Sequence, residues 1–271
     1  MQDIPRPYRQ TISTAADPVQ EAASASTSQR ASTESREIEE LGLLVPNLEL
    51  STGCSPAHLP GNAPGTQAQS LSQRLLGTLH AADLVKVQDL RIRYTLPRTQ
   101  EDEDEEEKVV TKAYWALYLD VLVMSLDGNA FVAAWAAVVA SLRDTRLPAA
   151  QWDPDTEMVV ASPERGDSGR LDLRGLPIAS SFVVFSTADP LKDRTEAESW
   201  VLADPDGFEE ELCRESVTVV VTPQREDGSG GVIKIEKNGG GVVDVKKMKE
   251  LVGLAMDRWS DWEGLLRQAE G

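Results

Sequence analysis

Residues 115–148 read WALYLDVLVMSLDGNAFVAAWAAVVASLRDTRLP. An apolar run through Tyr118, Leu119, Val121, Leu122, Val123 and Met124 stops at Asp127-Gly128-Asn129, which predicts a buried strand ending in a turn. Directly afterwards Phe131, Trp135, Val138, Val139 and Leu142 recur at helical spacing, with alanine filling nearly every gap. A helix that is apolar on almost all sides must be buried on almost all sides. The centre of the protein is therefore expected to be a strand, a tight Asp-Gly-Asn turn and a core helix. Two acids, Asp120 and Asp127, flank the end of the strand.

Working outward, residues 66–69 (Thr-Gln-Ala-Gln) carry a capping-box pattern, and Leu71, Leu75, Leu79 and Ala82 follow on one face, predicting a helix to about Asp83. Leu90, Ile92 and Tyr94 alternate with arginines and suggest a strand. Further strands are expected at 158–161, 181–186, 200–203, 217–222 and 232–236. From Asp244, a plausible N-cap, apolar residues recur at Val245, Met248, Val252, Ala255, Trp259, Trp262 and Leu266, predicting a long amphipathic C-terminal helix. Strands and helices mix without strict alternation, which argues for an α+β fold. Residues 1–37 are rich in Ser, Thr, Ala and Gln and nearly free of large apolar side chains, so they are expected to be disordered. The folded domain is expected over 38–271.

The chain has 271 residues and a net charge of -18. Seven consecutive acids at 101–107 make 97–108 an expected mobile loop, because like charges this close repel. An acidic surface should not grip nucleic acid broadly, so any RNA contact has to come from a local basic patch or a partner. Two cysteines, Cys54 and Cys213, are too few for a disulfide framework or a four-thiolate metal site, and both are expected to be reduced. With only His58 and His80, a histidine metal site or a catalytic triad is not expected, and no cofactor is called for. The sequence shows no membrane-length apolar run and no signal pattern, so an intracellular location is expected.

Each candidate site has a plain alternative. Asp120 and Asp127 could hold Mg²⁺ against a phosphate, or simply shape the turn. Arg143 and Arg146 could meet RNA phosphates, or complement the negative end of the core helix. The glycine clusters at 228–231 and 239–241 match no phosphate-binding fingerprint and read as hairpin turns. Trp259 and Trp262 read as core or interface anchors.

The segment from Leu119 to Pro148 resembles the strand, turn and helix of RNase PH-like proteins, in particular the non-catalytic lineage of the exosome ring. Residues 45–75 (VPNLELSTGCSPAHLPGNAPGTQAQSLSQRL) and 176–186 (LPIASSFVVFS) resemble two further segments of that family. Order and approximate spacing agree from about Leu41 to the C-terminus. The resemblance implies an RNase PH-like fold of mixed sheets and helices. It also implies a structural ring subunit that pairs with a second RNase PH-like subunit and closes a six-membered ring. The implied further partners are RNA-binding cap subunits and an associated exonuclease, with RNA reached through the complex and no membrane involved. Roles in ribosomal RNA maturation and RNA turnover, in nucleus, nucleolus and cytoplasm, follow from it.

Two departures stand out. Catalytic members carry Gly-Gly-Thr-Arg after the aspartate of this turn, whereas Asp127 is followed by Gly128, Asn129, Ala130 and Phe131. The phosphate site is thus expected to be missing, with Asp120 and Asp127 as vestigial positions and no enzymatic activity. The competing reading is a phosphorolytic 3′-exoribonuclease using Asp120 and Asp127 with Mg²⁺. The family's Arg-Pro-Asp-Gly-Arg motif is not found either, so either this sequence is a truncated form or the family's N-terminal strands are absent; if absent, they leave exposed sheet edges that predict poor solubility or dependence on a partner.

Overall fold

The computed structural model describes residues 27–59, 65–97, 107–187, 198–222, 231–240 and 242–270. The chain divides into two compact units. The first comprises Met1–Val45, Val85–Leu119 and Leu142–Arg174; the second comprises Pro46–Leu84, Asp120–Ser141 and Gly175–Gly271. Strands β1 (Leu44–Leu50) and β4 (Leu117–Val123) pair as a two-stranded ribbon. No described helix is long and apolar enough to cross a membrane.

The first unit begins with α1 (Thr27–Leu41), where composition alone placed disorder up to residue 37. Ile38 is buried, but polar pairs do much of the docking. Glu34 pairs with Arg174 and accepts from Gln88, while Glu37 accepts from Arg91 and from the Tyr114 hydroxyl, each at 2.5 Å. A search for apolar residues does not see a helix attached in this way. The rest of the low-complexity segment, residues 1–26, lies outside the described residues. After a short helix α3 (Val87–Leu90), β2 (Arg91–Thr95) pairs antiparallel with β3 (Val109–Tyr114). The Leu96 amide donates to the Lys108 carbonyl beyond the last strand pair. The acidic run 101–107 thus falls between two paired strands, and apart from Glu107 it lies outside the described residues. Short ribbons follow: β5 (Arg146–Leu147) with β8 (Gly169–Arg170), and β6 (Ala150–Asp153) with β7 (Met158–Ala161).

Burial raises the Tyr114 pKa and the carboxylate of Glu37 raises it further, to about 12, against the smaller opposing effect of Arg91. A folded pKa above the unfolded value stabilises fully below the unfolded value, near 10, and that contribution is lost as pH rises through the folded one. Of the four tyrosines, Tyr114 should therefore be the late one in a tyrosinate absorbance titration. Glu37→Gln should bring its midpoint down toward 10. An unchanged late midpoint in the variant would remove Glu37 as a cause.

In the second unit, β9 (Ile178–Ser186), β10 (Ser199–Ala203), β11 (Glu215–Thr222) and β12 (Gly231–Gly239) form an antiparallel sheet in the order β10-β9-β11-β12. Val217, Val219 and Val221 alternate onto one face, as a period of two requires, and meet Leu251 and Ala255 of α6 (Val245–Glu270) in the core. Asp244 caps α6 by accepting from the Lys247 amide at 2.7 Å, as its position suggests. Trp259 packs on this core and donates from its indole to the Leu176 carbonyl at 2.8 Å, in keeping with an anchor role. On the other face, α2 (Thr66–Ala82) meets the sheet through Arg74 and Thr78, which bond to Thr218, Glu236 and Lys234. Its first residue is Thr66, not its cap. The N-cap is Gly65, without a side-chain bond, so the 66–69 capping box does not form.

Three other expectations change. β4 is not a buried strand: its burial alternates, and Tyr118, Leu122 and Met124 are exposed. Its apolar residues point to both faces, but among the described residues it pairs only with β1, so one face stays open. Helix α4 (Ala130–Asp144) buries Phe131, Trp135, Val138 and Leu142 but leaves Ala133, Ala137 and Ala140 exposed, since alanine costs little on either side. Gly239 and Gly240 form no hairpin turn but link β12 to α6, where a Cβ on Gly240 would strike the Glu215 carboxylate. Of the other cluster, Gly231 opens β12, and 228–230 lie outside the described residues.

Candidate functional site

The Asp127-Gly128-Asn129 turn is held by the segment that leads into α5 (Gly207–Leu212). The Gly207 amide donates to Asp127 Oδ1 at 3.3 Å. The Asn129 amide donates to Glu210 Oε1 at 2.9 Å, and its side-chain amide donates to Asp204. Helix α5 is itself fixed by a capping box: the Glu209 amide bonds to Asp206 Oδ1 at 2.8 Å, and the Asp206 amide bonds to Glu209 Oε2 at 3.1 Å. Gly128 and Asn129 both have left-handed backbone, at φ +79° and +43°. Here Gly128 lies against the backbone of residues 205–207 so closely that no side chain fits.

Asp120 lies on β4 and is exposed; its Oδ1 accepts from Asn47 Nδ2 at 3.3 Å. Asp127 is also exposed and bonds to a different group, the Gly207 amide. The two acids belong to one unit but share no bonding partner. Among the described residues, no group of three or more His, Cys, Asp or Glu side chains could hold a metal ion. Arg143, half-buried at the end of α4, and Arg146, exposed on β5, belong to the first unit, away in the chain from the turn's own partners. Cys54 and Cys213 are free thiols, and burial together with Glu209 raises the pKa of Cys213.

Next to the turn is a polar cleft of about 220 Å³, bordered by Arg74, Asn129, Phe131, Ser181, Glu210 and Thr218. Its arginine is already engaged. Arg74 pairs with Glu236 at 2.8 Å, donates to Thr218 Oγ1 at 3.3 Å and lies over the Phe131 ring at 4.2 Å. Burial alone would raise the Glu236 pKa; the hydrogen bond from Lys234 and the charge of Arg74 outweigh it and hold that pKa below the usual carboxylate range. With Glu210 and Glu236 at hand, the cleft offers an incoming phosphate little uncompensated positive charge. Arg74→Met should cost about 1–2 kcal/mol, from the ion pair and the ring contact. Urea unfolding measures this, and a loss below the error of the method would show the cluster to be idle.

Sequence reasoning missed Arg74, Asp204, Glu210 and Glu236. The Asp206-x-x-Glu209 cap was readable in the sequence, but nothing there marks Arg74 and Glu236, 162 positions apart, as partners.

The chain matches the profile of the 3′ exoribonuclease family, domain 1, over residues 19–148. It is 33% identical over 218 residues to exosome complex component rrp43 of Schizosaccharomyces pombe, a match covering 80% of this chain and 67% of that protein. The chain belongs to the RNase PH-like family of exosome components. It is also 26% identical to exosome complex component Rrp42 of Methanothermobacter thermautotrophicus, over 81% of this chain and 67% of the relative. Human exosome complex component RRP45 is 25% identical over 72% of this chain and 39% of its own length. A chain of an archaeal exosome core superposes with a TM-score of 0.48 at 20% identity, covering 79% of this chain and 64% of that one. The chain spans about two thirds of the length of the first two of these relatives. Asn129, Ala130 and Phe131 follow Gly128 in the turn, and Phe131 is buried under the guanidinium of Arg74.

Proposed function

We propose that this protein is a non-catalytic, structural subunit of an RNA exosome ring. It pairs with another RNase PH-like subunit, the pairs close a six-membered ring, and RNA-binding caps and a separate exonuclease complete the assembly. Relatives named as exosome components support the assembly role. The observation that carries the non-catalytic reading is the cleft beside Asp127. Its phosphate-binding motif is replaced by Asn129-Ala130-Phe131, and its arginine is spent on Glu236 and Phe131. Phosphorolysis needs a bound phosphate as nucleophile, and an anion gains little where the cations are already neutralised. The protein then works in ribosomal RNA maturation and RNA turnover, in nucleus, nucleolus and cytoplasm.

Affinity purification of the tagged protein from its own cell, with mass spectrometry of the partners, tests the assembly. Recovery of other ring and cap subunits is expected; their absence would overturn the ring reading. The purified protein should release no nucleoside diphosphates from RNA in the presence of phosphate and Mg²⁺. Phosphate-dependent release that disappears in Asp127→Asn would reinstate the enzyme reading.

A further inference from the structure

Helix α6 covers the valines of β11 but not the same face of the outer strand. Strand register places Ile235 beside Val219 and Val232 beside Val221, on the side of the sheet that α6 packs against. Even so, Ile235 and Val232 are 42% and 43% exposed. Between β12 and the flank of α6 runs an apolar groove of about 430 Å³, lined by Ile235, Val243, Asp244, Val245, Met248, Lys249 and Val252; the Asp244 carboxylate is engaged in capping α6 through the Lys247 amide. Four strands span about 14 Å, whereas packed helices sit about 8–10 Å apart, so a sheet of this width has room for a second helix beside the first.

The charges around the groove indicate what fits it. Lys234 is committed to Glu236, Lys237 to Glu215, and Lys247 to Glu250. Among the described residues, Lys246 and Lys249 have no acidic partner. The first turn of α6 contains no acid. Lys246, in that turn, opposes the helix dipole, which prefers negative charge at this end, and Lys249 follows one turn later on the same side. Local rules are broken at functional or strained positions, and no strain is present at Lys246. In a chain of net charge -18, an acidic partner is repelled by most of the surface and attracted here.

We propose that the groove between β12 and α6 docks an acidic amphipathic helix of another polypeptide, with its apolar side over Ile235 and Met248 and its carboxylates against Lys246 and Lys249.

A photo-crosslinking residue, p-benzoylphenylalanine, placed at Ile235 of the full chain in its own cell tests this, with the same residue at exposed Leu254 as control. The expected product is one dominant partner peptide with apolar residues at i, i+3 or i+4, and i+7 and with acids on its flanks. It should be absent with the Leu254 probe. The double variant Lys246→Glu/Lys249→Glu should lower its yield at least fivefold. An acid at position 246 suits the first turn of the helix, and neither lysine has an acidic partner to lose among the described residues, so the variant should melt with the parent, and equal melting temperatures separate loss of docking from unfolding. Crosslinks indifferent to the charge reversal, peptides without this pattern, products confined to this chain, or no product at all would overturn the proposal.

Discussion

Gly128→Ala should cost about 4 kcal/mol or more, seen as a fall in Tm on the order of 10 °C for a chain of this size. Two effects add. The left-handed backbone at φ +79° disfavours any Cβ by about 1–2 kcal/mol. The new carbon would also stand 2.5 Å from the Pro205 carbonyl oxygen and 2.7 Å from the Gly207 nitrogen, and closer still to the carbonyl carbon of Asp206. These are backbone atoms held by the α5 capping box, so no side chain can swing away to relieve the contact. Gly53 separates the two effects: its φ is +82°, and an added Cβ would meet nothing within 4 Å. Gly53→Ala should therefore lose only the conformational part. Equal melting temperatures for the two variants would mean that the 205–207 backbone moves aside and does not lock the turn.

That pair of variants bears on function as well as stability. Of the motif found in catalytic relatives, this chain keeps the first glycine, as Gly128, and loses the rest. The close approach of residues 205–207 is a structural reason to keep it, independent of phosphate binding. The retained Asp-Gly is thus explained by the clamp on the turn.

The parts of this architecture that were readable in the sequence are those with a strong period. The apolar repeat from Val245 onward and the acid at Asp244 gave α6 and its cap, and short runs of valine and isoleucine gave β9, β11 and β12. Where attachment depends on partners distant in sequence, the sequence was mute. Nothing near Glu37 announces Arg91 and Tyr114, so α1 read as disorder. The apolar residues of β4 count the same whether or not its second face is covered. At the site, Asp120 and Asp127 looked like a pair because they sit near one strand end. The structure instead gives one to Asn47 and the other to Gly207. The charged pair that fills the cleft, Arg74 and Glu236, lies on a helix and a strand that only the fold brings together.

The same kind of long-range contact supports the second large effect, at Glu215. This carboxylate is almost fully buried, accepts from the amides of Val242 and Val243 at 2.9 and 3.0 Å, and pairs with Lys237 at 2.8 Å. It therefore ties β11 to the outer strand and to the link that enters α6. Glu215→Gln keeps the shape but removes the charge, and turns an amide nitrogen toward a backbone N–H. It should cost about 3 kcal/mol at pH 7, the scale of a broken buried pair. Burial alone would raise the Glu215 pKa; Lys237 and the two amides outweigh it and hold that pKa below the ordinary range. A folded pKa below the unfolded one gives stability that is present above the unfolded value, near 4.3, and is lost as pH falls through the folded one. The advantage of the parent over Glu215→Gln in urea unfolding should thus hold from pH 7 to about 5 and shrink in more acidic solution. Glu236 titrates in both proteins and cancels from the difference. A gap that stays constant down to pH 3 would show that the loss comes from packing and not from the carboxylate charge. If the gap instead closes in acid, Glu215 is the charge that fixes the start of α6. The groove beside β12 then owes one of its walls to a single carboxylate on the neighbouring strand.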